Sequence, residues 1–153
     1  LKKLASRLAS GIMARMAQTC HGSHGQVETC EAMQEFADHY PYMQFIQLTD
    51  AQGKLVQAVV TDEKNAPKYG NLPDPGYDYS DRQWFKEPMR DGELHVTDVY
   101  QSQYTGALIL SVSQAVTDEN DEIVGVLCGD IQIEELLKHS DDLEAEEKDM
   151  AAE

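Results

Sequence analysis

One guanidinium, one carboxylate and a group of aromatic rings are the side chains of this chain best suited to hold a small molecule. The nine residues Tyr77-Asp78-Tyr79-Ser80-Asp81-Arg82-Gln83-Trp84-Phe85 put an arginine among four aromatic rings and beside a turn-prone Ser-Asp pair. Arg82 presents a planar fork that grips a carboxylate through two parallel hydrogen bonds, and Tyr77, Tyr79 and Trp84 offer apolar walls with polar tips. A small organic acid suits such a set. Asp130 follows the apolar run Ile123-Val124-Gly125-Val126-Leu127-Cys128-Gly129. Strand alternation places it on one face with Val124, Val126 and Cys128. An ionised carboxylate there is costly unless a protein donor or a ligand ammonium pairs with it. Arg82 and Asp130 could instead pair with each other or cap a helix. Trp84 could be a core residue, and Tyr79 either a lid over a ligand or a ring packed on the sheet.

Other chemistries find less support. Cys20 and Cys30 are close enough for one bridge between two helices, consistent with an oxidising compartment, or could remain buried thiols. With His21 and His24 they match no common zinc spacing, and the haem-attachment motif is absent, so no metal or cofactor is expected. Cys128 reads as a buried thiol in a strand. A third possibility, a haem or metal redox sensor on Cys20, His21, His24 and Cys30, ranks below these. His39 and His95 are isolated, and no phosphate loop, nucleophile elbow or zinc-protease helix occurs. No enzyme activity is expected. The acidic turn Asp118 to Glu122 lacks a calcium-loop pattern and reads as a solvated hairpin turn. The net charge of −16 over 153 residues argues against nucleic acid or an anionic membrane surface as partner. An anionic ligand would need a local positive centre, which Arg82 supplies.

The elements that must position these residues follow from periodicity. Leu1, Leu4, Leu8, Ile12 and Met16 make an amphipathic helix. After the break at His21 to Gly25, Ser23 to Gln26 has capping-box spacing before a second helix, with Val27, Cys30, Met33, Ala37 and Tyr40 as its buried stripe. Met43 to Leu48 and Leu55 to Thr61 flank a turn whose Gly53 can take positive φ, so they read as an antiparallel pair. Residues Asp62 to Ser80 form a long loop rich in Pro and Gly, and a loop of that length is usually functional. A short helix over Asp81 to Arg90, a strand over His95 to Val99, and central strands Ala107 to Val116 and Ile123 to Ile131 complete the core. Leu136, Leu143 and Met150 fall seven apart in a C-terminal helix, as Leu1 and Leu8 do at the other end, a thin coiled-coil signal beside which a surface helix is an equal reading.

The segments Asp81 to Lys86, Val96 to Tyr100, Leu108 to Val116 and Gly125 to Ile131, in that order, resemble the bacterial extracellular Cache sensor domains, also called PDC domains. The resemblance covers roughly Tyr42 to Leu137. It implies an α+β, PAS-like fold: a five-stranded antiparallel sheet, N-terminal helices packed on one face, and the loop with its helix covering the other. The expected division is 1–40 for the N-terminal helices, 41–132 for the sensor core and 133–153 for a helical linker. The resemblance further implies a ligand-binding sensor for a chemoreceptor, histidine kinase or cyclic-dinucleotide enzyme. Tyr77, Arg82 and Trp84 match the cluster that holds a carboxylate in amino-acid-sensing members, Asp130 matches the group that takes the amine, and Tyr100 would be a wall residue. Phe85 stands where Tyr is frequent, so one hydrogen bond would be absent. Many members take acids without an amine, in which case Asp130 has another partner.

A homodimer is expected, joined to a membrane by segments outside this chain, with the domain periplasmic or, alternatively, cytoplasmic. The rival reading is a dimerisation module with a vestigial pocket.

Overall fold

The computed structural model describes residues 2–60 and 73–138. Their centre is one antiparallel sheet in the spatial order β2-β1-β6-β5-β3, with β4 also paired to β5. The strands are β1 (Met43–Asp50), β2 (Leu55–Val60), β3 (His95–Val96), β4 (Tyr100–Gln101), β5 (Leu108–Thr117) and β6 (Ile123–Gln132). The helices are α1 (Lys2–Thr19), α2 (Ala32–His39), α3 (Gln83–Asp91) and α4 (Ile133–Lys138). The architecture is the α+β, PAS-like one that the sequence implies.

The sheet has six strands rather than five, because the strand expected over His95 to Val99 is interrupted. Thr97 donates its N–H to the Ser111 carbonyl at 2.9 Å, but Ser111 N–H bonds the Thr97 hydroxyl, also at 2.9 Å, instead of a backbone carbonyl. A side chain thus replaces one rung of the ladder, and the chain leaves the sheet until Tyr100 pairs with Ile109.

α1 buries Ala5, Leu8, Ala9, Ile12, Met13 and Met16, and packs chiefly on β5. With Met33, Ala37 and Tyr40 of the α2 region and Ile46, Leu48, Leu110, Val112 and Leu127 of the sheet, this stripe makes the larger core. The Leu, Ile, Val and Met side chains among them each contribute about 1.5–3 kcal/mol when withdrawn from water.

The second helix starts later than its capping-box spacing predicts. Backbone groups between Gly22 and Cys30 bond elsewhere: Gly22 N–H to Thr117 O, Gly25 N–H to Asp118 Oδ2, and Cys30 N–H to Gln57 Oε1. Ser23 and Gln26 exchange a backbone pair, and Cys20 and Cys30 are joined by a disulfide across this segment. Helix begins only at Ala32, once those partners are exhausted.

The opposite face of the sheet carries a smaller cluster of Leu55, Tyr79, Trp84, Phe85, Val126 and Cys128. Val124 belongs instead to the helix-side core, contrary to simple alternation. Val116 pairs with Gly125 and Thr117 with Ile123, so Val124 is an extra residue in the β5–β6 ladder. Such a bulge reverses the pleat beyond it.

Two further expectations change. Asp118 is buried rather than solvated, and its carboxylate accepts N–H bonds from Asn120, Glu122 and Gly25. These bonds, led by that from Asn120, hold its pKa below the ordinary carboxylate value. Leu8 and Leu136 are buried in the domain's own core, so neither lies on an open heptad seam. Leu1, Leu143, Met150 and the loop residues 61–72 lie outside the described residues.

Candidate ligand-binding site

The described end of the long loop is fixed to the β1–β2 hairpin. Gly76 N–H bonds Leu55 O at 2.7 Å, Leu55 N–H bonds Tyr77 O at 2.8 Å, and Tyr79 N–H bonds Gly53 O at 2.8 Å. Gly53 has φ +85, and a Cβ there would stand 2.7 Å from the Ser80 Cα, so both the turn and the close approach require glycine. Asp78 closes the next turn by accepting the Ser80 N–H at 2.8 Å, with Lys54 Nζ 3.3 Å away. The hydrogen bonds from Ser80 are the chief cause that pulls its carboxyl down to about 2.

This scaffold delivers Arg82 to the N-cap of α3 in extended conformation. Its backbone is committed: the N–H bonds Tyr79 O, and the carbonyl accepts from Phe85 and Lys86. Among the described residues its guanidinium makes no hydrogen bond or ion pair. At the far end of α3, Gly92 (φ 71) ends the helix, and His95 lies between Glu87 (Nδ1 to Oε2, 3.1 Å) and Asp91 (Nε2 to Oδ2, 2.8 Å). That histidine, isolated in sequence, ties α3 to β3.

The sheet supplies the floor. Phe45, Asp130 and Ser111 lie in register across β1, β6 and β5, and the next same-face row is Gln47, Cys128 and Ser113. Asp130 is 5% exposed and accepts the Ser111 hydroxyl at 2.8 Å. The Ser111 hydroxyl is also hydrogen-bonded to that of Tyr100. When Ser111 donates to Asp130, Tyr100 is the donor to Ser111, and its proton is directed at the sheet rather than the cavity. Burial is the main force on Asp130, raising its carboxyl to about 6, while the Ser111 bond and the Arg82 charge pull the other way. Burial likewise pushes the phenols of Tyr79 and Tyr100 and the Cys128 thiol up, so all three are neutral.

Between floor and wall lies a cavity of about 90 Å³, lined by Gln47, Tyr79, Arg82, Trp84, Tyr100, Gln101, Ser102, Gln103, Tyr104, Ile109 and Asp130. A single water needs some 10–15 Å³ on this kind of measure, so the space holds a solute of only a handful of heavy atoms. Of the residues singled out in sequence, Tyr79, Arg82, Trp84, Tyr100 and Asp130 meet here. Tyr77 does not: it is 49% exposed, with its ring 4.8 Å from that of Tyr79 outside the lining. Phe85 turns into the smaller core instead.

Sequence reasoning missed Gln47 and the segment Gln101 to Tyr104. The Tyr104 hydroxyl is 2.8 Å from that of Tyr79, and its ring is 5.4 Å from Phe45, so it buttresses the lid-side tyrosine. The Ser102 hydroxyl shapes the segment by accepting the N–H groups of Tyr104 and Thr105. A polar Gln47 on the same strand face as Phe45, with apolar Ile46 and Leu48 on either side, was the available signal. No group of three or more His, Cys, Asp or Glu able to hold a metal occurs among the described residues.

Residues 30–138 match the family model described as the methyl-accepting chemotaxis protein-like, first PDC sensor domain. Over 106 residues, 69% of the chain, the sequence is 44% identical to citrate (Re)-synthase of Syntrophus aciditrophicus (strain SB), 17% of which is covered. Over 74 residues, 48% of the chain, it is 36% identical to the methyl-accepting chemotaxis protein McpB of Bacillus subtilis (strain 168), 10% of which is covered. The chain therefore spans a small part of these relatives, and the synthase match carries no catalytic assignment.

Among solved structures, the ligand-binding domain of the Pseudomonas aeruginosa amino acid chemoreceptor PctC, in complex with GABA, superposes with a TM-score of 0.59 at 23% identity, covering 88% of this chain and 57% of that one. That of the Pseudomonas fluorescens chemoreceptor CtaA, in complex with L-serine, gives 0.56 at 21% identity, covering 88% and 53%. These likenesses show the fold.

Proposed function

The chain belongs to the methyl-accepting chemotaxis protein-like PDC sensor domains, and from that premise we propose that it binds a small zwitterion, an α-amino acid or close analogue, in the cavity between β6 and α3. The observation that carries this reading is the Arg82 guanidinium, without a hydrogen-bond or ion-pair partner among the described residues, in the same lining as the buried Asp130 carboxylate. Arg82 would grip the ligand carboxylate through its fork, and Asp130 would take the ammonium in a site screened little by solvent. Trp84, Tyr79 and Tyr104 enclose the carbon skeleton, while Tyr100 holds Ser111, and through it Asp130, in place. Support for an amine-bearing ligand also comes from the complexes of PctC with GABA and CtaA with L-serine.

In this reading the domain is non-enzymatic and needs no cofactor. It serves as the extracytoplasmic sensing part of a homodimeric bacterial inner-membrane signalling protein, with residues 133–153 leading toward the output module. Signalling then requires the ligand to favour one of two arrangements of the sheet and its helices, since equal affinity for both would shift nothing.

The test is the melting temperature of the domain against a panel of amino acids and small carboxylates, repeated with Arg82→Ala and Asp130→Ala. A bound ligand adds about 2.7 kcal/mol of stability at 100 times its Kd. The expected result is a hit lost in both variants. A hit lost only without Arg82 would reduce the ligand to a simple acid. A dimeric, folded protein unaffected by every compound would replace the sensor by a dimerisation module with a vestigial pocket.

A further inference from the structure

Gln47 stands on β1 opposite Cys128, one same-face row along from the Phe45–Asp130–Ser111 row, and lines the same cavity as Arg82 and Asp130. The residue is 3% exposed, and its Oε1 is fully enclosed with no hydrogen-bond partner among the described residues. A buried amide left unpaired is destabilising, and native interiors rarely leave one so. Both charges that an amino acid would need are already answered by Arg82 and Asp130. Gln47 adds a neutral group that can accept through its carbonyl or donate through its amide nitrogen, and a half-turn of the terminal amide exchanges the two.

The partner that matches such a group is itself neutral and polar. An ammonium or carboxylate would be served better by the full charges beside it, and an aliphatic side chain would leave the amide unpaired. The cavity's small volume limits that partner to a short side chain. Resting on the zwitterion reading above, we propose that Gln47 is a specificity-determining residue that reads the ligand's side chain, selecting small α-amino acids with a hydroxyl or amide side chain over aliphatic ones.

A site built to hydrogen-bond a ligand group discriminates against the analogue lacking it, because the protein's own polar group is then stranded. L-Serine and L-alanine differ by that one hydroxyl. Titration calorimetry of the wild-type domain with glycine, L-alanine, L-serine and L-asparagine should give tighter binding of serine or asparagine than of alanine, by about tenfold for one hydrogen bond. Gln47→Met keeps length and volume but cannot hydrogen-bond in the same way. It should erase that preference, retain alanine binding, and leave the ligand-free melting temperature equal or higher. Gln47→Leu should behave the same way and serves if the Met variant is poorly folded.

Two results would overturn the inference while leaving the zwitterion reading standing: alanine bound as tightly as both serine and asparagine, or a preference that survives in Gln47→Met and Gln47→Leu. If the variants instead melt lower in the absence of ligand, Gln47 is a structural residue. Absence of binding by all four amino acids, in protein shown to be folded, would overturn the inference together with the reading on which it rests.

Discussion

Arg82 and Asp130 line one cavity yet form no ion pair with each other. Each is held by its own framework: Arg82 by the turn that enters α3, Asp130 by the Ser111 hydroxyl on the neighbouring strand. Direct pairing would have neutralised both and closed the space between them. The separation leaves opposite charges on two sides of a small gap, which suits a molecule carrying both signs.

Since the Arg82 side chain has no protein partner among the described residues, Arg82→Ala should change stability by no more than about 0.5 kcal/mol. Ligand binding should weaken by on the order of 100-fold, because charge-assisted bonds are lost. Arg82→Lys should recover only part, as an ammonium cannot match the fork. Urea unfolding and calorimetric titration of the same preparations separate the two quantities.

The raised pKa of Asp130 sets a definite sign for pH dependence. Burial shifts the carboxyl from 3.8 to about 6, so folding favours its protonated form. The associated stability is fully present below pH 3.8 and is lost as pH rises through about 6, an effect of roughly 3 kcal/mol for a shift of this size. Asp130→Asn should flatten this part of the profile in the ligand-free domain. Binding of an amine-bearing ligand needs the ionised carboxylate, so wild-type affinity should rise over the same window and that of the variant should not. Thermal melts from pH 4 to 8, with and without ligand, test both statements.

Trp84 is the chain's single tryptophan, 6% exposed and part of the cavity wall. Its fluorescence should therefore change on ligand addition and saturate with the calorimetric Kd. The change should vanish in Arg82→Ala, which leaves the indole in place.

Gly53→Ala should destabilise the domain by about 2 kcal/mol, since it combines a positive φ with a Cβ forced against Ser80. The Gly53 carbonyl also receives the Tyr79 N–H, so affinity should fall along with stability. A variant that bound normally would show that the hairpin does not position Tyr79 and Arg82.

Replacing Cys20 and Cys30 together by serine opens a loop with a sequence separation of 10 and should cost about 2–3 kcal/mol. The bridge joins the helix-side core, away from the cavity, so ligand affinity should remain within about twofold in folded protein. Denaturant midpoints and titrations before and after reduction of the wild-type domain provide the check.

Much of the fold was legible because hydrophobic periodicity marks long elements well. The α1 stripe, the Met43 hairpin and the two central strands stand out in sequence for that reason. What escaped depended on single hydrogen bonds between distant residues: the Thr97 hydroxyl that divides an expected strand, the Gln57 amide that delays α2, and the bulge that sends Val124 to the other face. The same holds in the candidate site. Arg82, Trp84 and Asp130 announce themselves by residue type, whereas Gln47 and Tyr104 gain significance only from what the folded chain places beside them. Tyr77, grouped with the others by proximity in sequence, stays half exposed, because its ring lies on the outer side of Tyr79, which fills the cavity wall in its place.

β6 passes from Gln132 directly into Ile133 of α4, with no connecting residue between them. Asp130 lies at the end of that strand, Gln132 N–H is bonded to Tyr42 O, and Leu136 of the helix is completely buried. Strand and helix thus run on without a break, held on either side of their junction at Gln132 and Leu136, with the cavity-lining carboxylate close to that junction. Such a linkage has no slack: a tug on Asp130 reaches the helix as motion of its backbone, because there is no loop in which the stroke could be lost.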